Sequence, residues 1–284
     1  HNLTGWAFLA PATFLIAVFS FWPMIKALVL SFQTGKGRNM QMAGFTNYIR
    51  MFQDDVFIQS IKNTFFYFIL QVPIMLVVAL VLACILNKKD LRFKGFFRTM
   101  IFVPCTTSLV AYSIIFRSLF ANNGLVNYVL VNIGILDKPY NFLTQPFAAK
   151  MVILLGLLWR WTGYNMVFFL SGLQNIEYSV YEAAKIDGAS AIQTFFKITV
   201  PLLKPTILLT AIMSTNGTLQ LFDESINLTD GGPANASISM SHYIYNLCFK
   251  YVPNFGYAAA MSFFILLLVA VLAFIQMRVG DKRD

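Results

Sequence analysis

Few residues in this sequence could do chemistry, and the most conspicuous is a charge where none is expected. Arg160, flanked by Trp159 and Trp161, lies close to the middle of a long apolar run over residues 147–172. In a bilayer, a guanidinium at that depth costs roughly 2.5–3.5 kcal/mol on insertion scales unless it meets water or a partner. No Asp or Glu lies inside any apolar run, so Arg160 must look to cavity water, backbone carbonyls, a second subunit or a ligand. Its neighbours Trp161, Gly163, Tyr164 and Asn165 combine aromatic faces with hydrogen-bonding groups, a mixture that suits the ring faces and hydroxyl rim of a sugar. Asn216, Thr218 and Gln220 supply more polar groups in the next apolar run. For each of these singly, packing between helices accounts for the residue as well as ligand contact does. If Arg160 faces the ligand, a carboxylated or phosphorylated sugar is expected; structural pairing at a subunit interface is the equal alternative.

Other chemistries lack their residues. No G-x-x-x-x-G-K-[ST] segment is present, and Gly35-Lys36-Gly37-Arg38 lacks both the spacing and the hydroxyl, so nucleotide is not bound in the P-loop manner. Cys84, Cys105 and Cys248 show no paired spacing and no accompanying His cluster, which favours neither a disulfide framework nor a metal site. Asp187-Gly188-Ala189 is superficially like the aspartate motif of phosphatidyl-alcohol transferases, but no further aspartate follows until Asp223. A polytopic membrane enzyme is therefore a remote alternative. A channel or single-chain secondary transporter is disfavoured by the scarcity of acidic groups in the apolar runs. The 21 Lys and Arg give a net charge of +9, yet they are scattered between apolar runs and form no stripe that would suit nucleic acid.

The elements that must position these residues follow from composition. Of the 284 residues, 58% are apolar and 12% charged, against about 45–50% and about 25% in an ordinary soluble domain. Such a chain cannot hide its apolar surface in one water-surrounded core. Six apolar runs, at 7–32, 64–86, 99–120, 147–172, 205–222 and 257–277, are each long enough to span a bilayer and must be helical to satisfy their own backbone. Lys88, Lys89, Arg92, Lys94 and Arg98 follow the second run; Lys185, Lys197 and Lys204 lie between the fourth and fifth; Arg278, Lys282 and Arg283 close the tail. All fall on one side, and the positive-inside rule puts that side and both termini in the cytoplasm. Trp6, Trp22 and Tyr67 lie near span ends, as interfacial aromatics do, although Trp22 suits internal packing equally. Prolines in the first three runs read as packing kinks or gating hinges. The expectation is a single all-α transmembrane domain over 1–284 with six spans.

The segment 177–201 is the most informative. Tyr178 to Ile186 reads as a short amphipathic helix, Gly188 permits a left-handed turn, and Ala191 to Ile198 forms a second helix before Pro201. Glu182-Ala183-Ala184, three residues, Gly188, nine residues, Ile198, one residue, Val200-Pro201 resembles the EAA loop of binding-protein-dependent ABC importer permeases, with Val200 in place of the usual Leu. The similarity extends along the chain: Leu9-Ala10-Pro11, Gly44-Phe45-Thr46-Asn47-Tyr48, Asn63-Thr64 and Asp230-Gly231-Gly232-Pro233 look like the carbohydrate-uptake branch, and within it the first permease of the maltose and glycerol-phosphate type. The large external insertion and extra N-terminal helices of the enterobacterial maltose protein are lacking.

The resemblance implies a type I ABC importer transmembrane domain in a bacterial or archaeal cytoplasmic membrane. Its partners are then a second homologous permease, two cytoplasmic ATPase subunits that bind ATP and Mg, and an external sugar-binding protein. This chain itself needs no cofactor. The loop would lodge in a cleft of an ATPase, with Ala183 and Ala184 allowing close approach, Gly188 turning the backbone, and Glu182 and Asp187 offering carboxylates to basic groups. A non-carbohydrate or phosphorylated solute is the alternative cargo.

Overall fold

Apolar runs removed from water must close their own i→i−4 ladders, and the chain is mostly helical. The computed structural model describes residues 2–36, 39–88 and 90–280; Gly37, Arg38, Lys89, Lys282 and Arg283 lie outside the described residues. Among the described residues, four helices are long and apolar enough to cross a membrane: Thr4–Ser31, Asp55–Asn87, Pro146–Gln174 and Phe255–Gly280. Two more spans result if each bent pair counts as one, Lys94–Thr106 with Leu109–Leu119 at 99° and Ala191–Leu202 with Lys204–Leu219 at 70°. Each of the six apolar runs falls on one of these elements. Hydropathy averaged over a span-length window does not show the two bends, since the breaks at Thr107-Ser108 and Leu203 are too short to lower it much.

In chain order, α1 (Asn2–Ile16) passes through a π-helical turn (Ala17–Phe21) into α2 (Trp22–Ser31). A two-stranded antiparallel ribbon follows, β1 (Gln33–Lys36) with β2 (Asn39–Met42), a small departure from the all-helical expectation. Then come α3 (Thr46–Met51), α4 (Asp55–Asn87), α5 (Lys94–Thr106), α6 (Leu109–Leu119), α7 (Leu125–Asn132) and α8 (Pro146–Gln174). The loop region holds α9 (Tyr178–Ile186), α10 (Ala191–Thr194), a π turn (Phe195–Thr199) and α11 (Val200–Leu202). Last are α12 (Lys204–Leu219), α13 (Asp223–Thr229), α14 (Met240–Tyr245), a π turn (Asn246–Lys250) and α15 (Phe255–Gly280). Each π turn is followed within a few residues by a proline, Pro23, Pro201 or Pro253. A proline cannot donate to the preceding turn, and widening that turn is one way a helix absorbs the loss.

The chain divides into two compact units. One comprises residues up to Ile58 with Tyr243–Leu268. Its polar anchor is Asp54: Oδ1 accepts from the backbone N–H of Val56 and Phe57 at 3.0 and 3.2 Å, capping α4, while Oδ2 accepts from the hydroxyls of Tyr243 and Tyr257, both at 2.7 Å. Burial and the Asp54 carboxylate push the Tyr243 phenol above its ordinary pKa and keep it a donor. Arg50 lies 4.4 Å over the Tyr257 ring. Trp6 and Trp22 are exposed, which leaves Trp22 outside any internal packing.

The other unit holds Gln59–His242 and the chain from Val269. Ala79, Leu80, Ala83 and Leu86 of α4 meet Met166, Phe169, Leu170 and Leu173 of α8, two sets at helical spacing that form one apolar seam closed by Leu203. Tyr67 belongs to a second cluster with Tyr112 and Leu157 and is wholly buried; it is a core residue and not an interfacial one. The Asp230-Gly231-Gly232-Pro233 segment leads into a stretch folded inward, where Ser237, Ser239 and His242 are fully buried. Asn63 Nδ2 donates to the carbonyls of Asn235 and Ile238 at 3.2 and 2.9 Å, which ties that segment to α4.

Replacing the Asp54 side chain removes a helix cap and orphans two tyrosine hydroxyls. Asp54→Ala is expected to cost about 1–3 kcal/mol, read as a lowered thermal unfolding midpoint in detergent; an unchanged midpoint contradicts the anchoring role.

Candidate functional site

Within the second unit α4, α8 and α12 leave a cavity of about 420 Å³, inside the range of about 300–1,000 Å³ common for small-molecule sites. Its walls are cross-linked by side chains. The Thr218 hydroxyl donates to Gln71 Oε1 at 2.9 Å, joining α12 to α4. Ser214 donates to Asn165 Oδ1 at 3.3 Å, joining α12 to α8, and Asn165 Nδ2 donates to the Trp161 carbonyl at 3.1 Å. In an apolar surrounding each such bond is needed, because an unmade one costs about 1–3 kcal/mol.

Arg160 is 7% exposed and lines the cavity. Its Nη1 donates to the carbonyl of Thr107 at 2.8 Å, and Thr107 is the residue that ends α5 at the break in the third span. The guanidinium carbon lies 5.5 Å from the ring centres of both Tyr112 and Trp161, within cation–π range. Its Nε has no hydrogen-bond partner.

Of the partners open to Arg160, the structure supplies a backbone carbonyl, that of Thr107, and the same cavity also holds Glu224. This residue lies outside every apolar run, but α13 packs against α6 and α8 and carries it into the cavity wall, where it is 4% exposed. Burial pushes the Glu224 carboxyl above its ordinary pKa, and its Oε1 has no hydrogen-bond partner. Asp223 lines the same cavity.

Of the residues expected along a solute path, Arg160, Trp161, Tyr164, Asn165, Thr218 and Gln220 line this cavity. Gly163 does not: it is the crossing point of α8 and α5, where a Cβ would run into the carbonyl of Ile101. Asn216 is exposed off the cavity and accepts from Gln220 Nε2. Sequence reasoning passed over Gln71, Gly217 and Glu224. Gln71 was findable as a polar residue inside the second apolar run.

The second element is the loop after α8. Helix α9 has the bounds its periodicity predicts, and it ends in a hydrogen-bonded cap. Gly188 takes φ +73°, its N–H donates to the Lys185 carbonyl at 3.2 Å, and the Ala189 N–H donates to the Ala184 carbonyl at 2.9 Å. Ser190 then opens α10 with a capping box shared with Gln193. Glu182, Ala183, Asp187 and Gly188 are exposed, while Ala184 packs inward at 6% exposure. Ile186, Ile192 and Phe196 are also exposed, at 85%, 72% and 65%, so a rigid element presents carboxylates and apolar groups together. A single helix pair with that surface is unusual unless something covers it.

Bent spans around a polar cavity, with a capped two-helix element projecting beside it, define a membrane permease. The chain belongs to the family of binding-protein-dependent transport system inner membrane components, whose profile matches residues 55–283. It is 52% identical to the lactose transport system permease protein LacF of Rhizobium radiobacter, over 100% of this chain and 96% of that protein. It is 31% identical to the arabinooligosaccharides transport system permease protein AraP of Bacillus subtilis, over 97% and 88% of the two chains. In fold it matches a chain of the bacterial alginate ABC transporter in complex with an alginate pentasaccharide-bound periplasmic protein, with a TM-score of 0.86, 25% identity, and 99% and 95% coverage. These relatives are sugar permeases, as the motifs led one to expect.

Gly163 and Gly217 separate packing from path. Gly163→Leu is expected to drive α5 from α8 and remove monodisperse protein from detergent extracts. Gly217→Leu, where a Cβ meets nothing within 4 Å, is expected to leave the amount of folded protein unchanged; the reverse ranking in size-exclusion profiles refutes the assignment.

Proposed function

We propose that this chain forms one half of the translocation path of an ATP-driven, binding-protein-dependent importer of disaccharides or short oligosaccharides in a bacterial cytoplasmic membrane. The observation that carries the reading is the cavity, whose aromatic and amide groups line a space of sugar size beside a break in a span. The names of the relatives support the substrate class. A second permease supplies the other wall of the path, and two cytoplasmic ATPase subunits bind ATP and Mg. Both termini lie on the ATPase side.

The exposed face of α9 and α10 is the lever in this reading. Glu182 and Asp187 meet basic groups of an ATPase subunit, Ile186 and Ile192 enter an apolar part of its cleft, and the Gly188 cap keeps the element rigid. Closure of the ATPases then displaces α9, and with it α8 and α12, which carry two walls of the cavity. Alternating access is the consequence. An external sugar-binding protein delivers the solute.

Glu182→Lys and Gly188→Val test the lever, since both positions are exposed and neither supports the core. Each is expected to lower ATP-driven uptake in proteoliposomes at least about tenfold while membrane insertion stays normal. Wild-type uptake by both variants would falsify the coupling assignment. Gly217→Trp tests the path, filling the cavity from an open position; the expected result is uptake near background with the complex intact.

A further inference from the structure

We propose that a second cavity, at the root of α9, holds the phosphate-bearing headgroup of an anionic phospholipid and thereby braces α9 against α4. The bracing depends on α9 being the lever; the binding does not.

This cavity measures about 880 Å³ and opens between the link after α4, the end of α8, α9 and α10. Its position is the first argument. Asn87 and Gln174, the last residues of two membrane-crossing helices, both line it, so it lies where apolar spans give way to lipid headgroups. The lining is divided as a lipid is: Leu91, Leu173, Ile176 and Phe195 are apolar, while Asn87 and Gln174 offer hydrogen bonds.

Charge is the second argument. Lys88 and Lys185 stand in the lining against one carboxylate, Asp90, and among the described residues neither lysine is in an ion pair. Both are exposed, on four-carbon stems that turn toward a ligand at small cost. An ammonium meets a phosphate oxygen in a charge-assisted bond. In sequence the link continues this cluster with Lys89, Arg92, Lys94 and Arg98, and basic pockets between helix ends on the cytoplasmic side are where anionic headgroups seat.

The third is the face that α9 turns to the cavity. Tyr178, Tyr181 and Lys185, spaced i, i+3 and i+7, line it, whereas Glu182 and Ile186 do not. A headgroup held there lies behind the lever and leaves its carboxylate face open to an ATPase subunit. Because the walls come from both the link and α9, an occupant joins the lever to the end of α4.

The test uses the complete complex, purified with its second permease and ATPase subunits, and reads ligand binding by native mass spectrometry. The probes are phosphatidylglycerol, phosphatidylethanolamine and soluble glycerol 1-phosphate. Wild type is expected to retain phosphatidylglycerol, and the double variant Lys88→Gln with Lys185→Gln to bind it on the order of ten- to thirtyfold more weakly. Ala191→Trp, which fills the cavity from an exposed position without changing charge, should lose the lipid as well. The pair Lys197→Gln with Arg278→Gln removes two charges on the same side outside the cavity and should bind as wild type does. Equal loss in that control, or undiminished binding in either the double lysine variant or Ala191→Trp, overturns the site. Phosphatidylethanolamine bound as tightly overturns the selection for an anion, and binding of glycerol 1-phosphate alone overturns the lipid as its source. For the bracing, sugar uptake is compared in vesicles of phosphatidylethanolamine with and without phosphatidylglycerol: wild type is expected to transport several-fold faster with it, and the double lysine variant to be indifferent. A dependence kept in that variant overturns the bracing. Should Glu182→Lys and Gly188→Val transport normally, the lever falls and the bracing with it, while the binding comparison still decides the site.

Discussion

A backbone carbonyl freed inside an apolar environment must be given a donor, and at the break in the third span that donor is Arg160. The bond from Nη1 to the Thr107 carbonyl gives a donor to the residue that ends α5, where α6 leaves at 99°. The consequences run outward from it. Because α6 turns away, α13 can pack against it and against α8, which brings Glu224 to the cavity. Because the guanidinium is held, Tyr112 and Trp161 find a fixed cation beside their rings. The charge that composition leaves unexplained is therefore a structural device first, and its place in the cavity follows from that.

The same economy governs the walls. Gln71, Asn165, Ser214 and Thr218 satisfy one another across three helices, so the cavity keeps its shape without ions. Below it, the apolar seam of α4 and α8 includes Leu173 and Leu203, the residues that flank the projecting loop. In the proposed mechanism this continuity matters more than any single contact. A push on α9 reaches α8 across the three-residue link 175–177 and α12 through the π turn before Pro201 and Leu203. The capping at Gly188 and Ser190 serves the same end by stiffening the part that is pushed.

What the sequence disclosed, and what it hid, divides along physical lines. Local signals were legible: apolar runs long enough to span, the bounds of α9, and the glycine that must take a positive φ at 188 are all set by neighbours in the chain. Residues of the cavity on α8 were legible too, since Arg160 and its aromatic neighbours stand out against an apolar run. Tertiary folding hid the rest. Glu224 sits in a polar stretch that looks like a loop, and only the return of α13 onto α6 and α8 buries it. Tyr67 resembled an interfacial aromatic because burial by partners distant in sequence leaves no periodicity. Gly163 was grouped with the ligand path on adjacency alone, whereas 3.6-residue geometry turns it to α5 while Tyr164 faces the cavity.

In the proposed function this cavity holds the sugar and changes its access as the complex works. The most direct measurement is the rate at which a membrane-impermeant thiol reagent labels Gly217→Cys in the assembled transporter, with Cys84, Cys105 and Cys248 replaced by Ser. Labelling is expected to slow when the transported sugar is present, and the side from which the reagent reacts is expected to switch between the nucleotide-free and ATP-trapped complex. Labelling that is indifferent to both sugar and nucleotide state would contradict it.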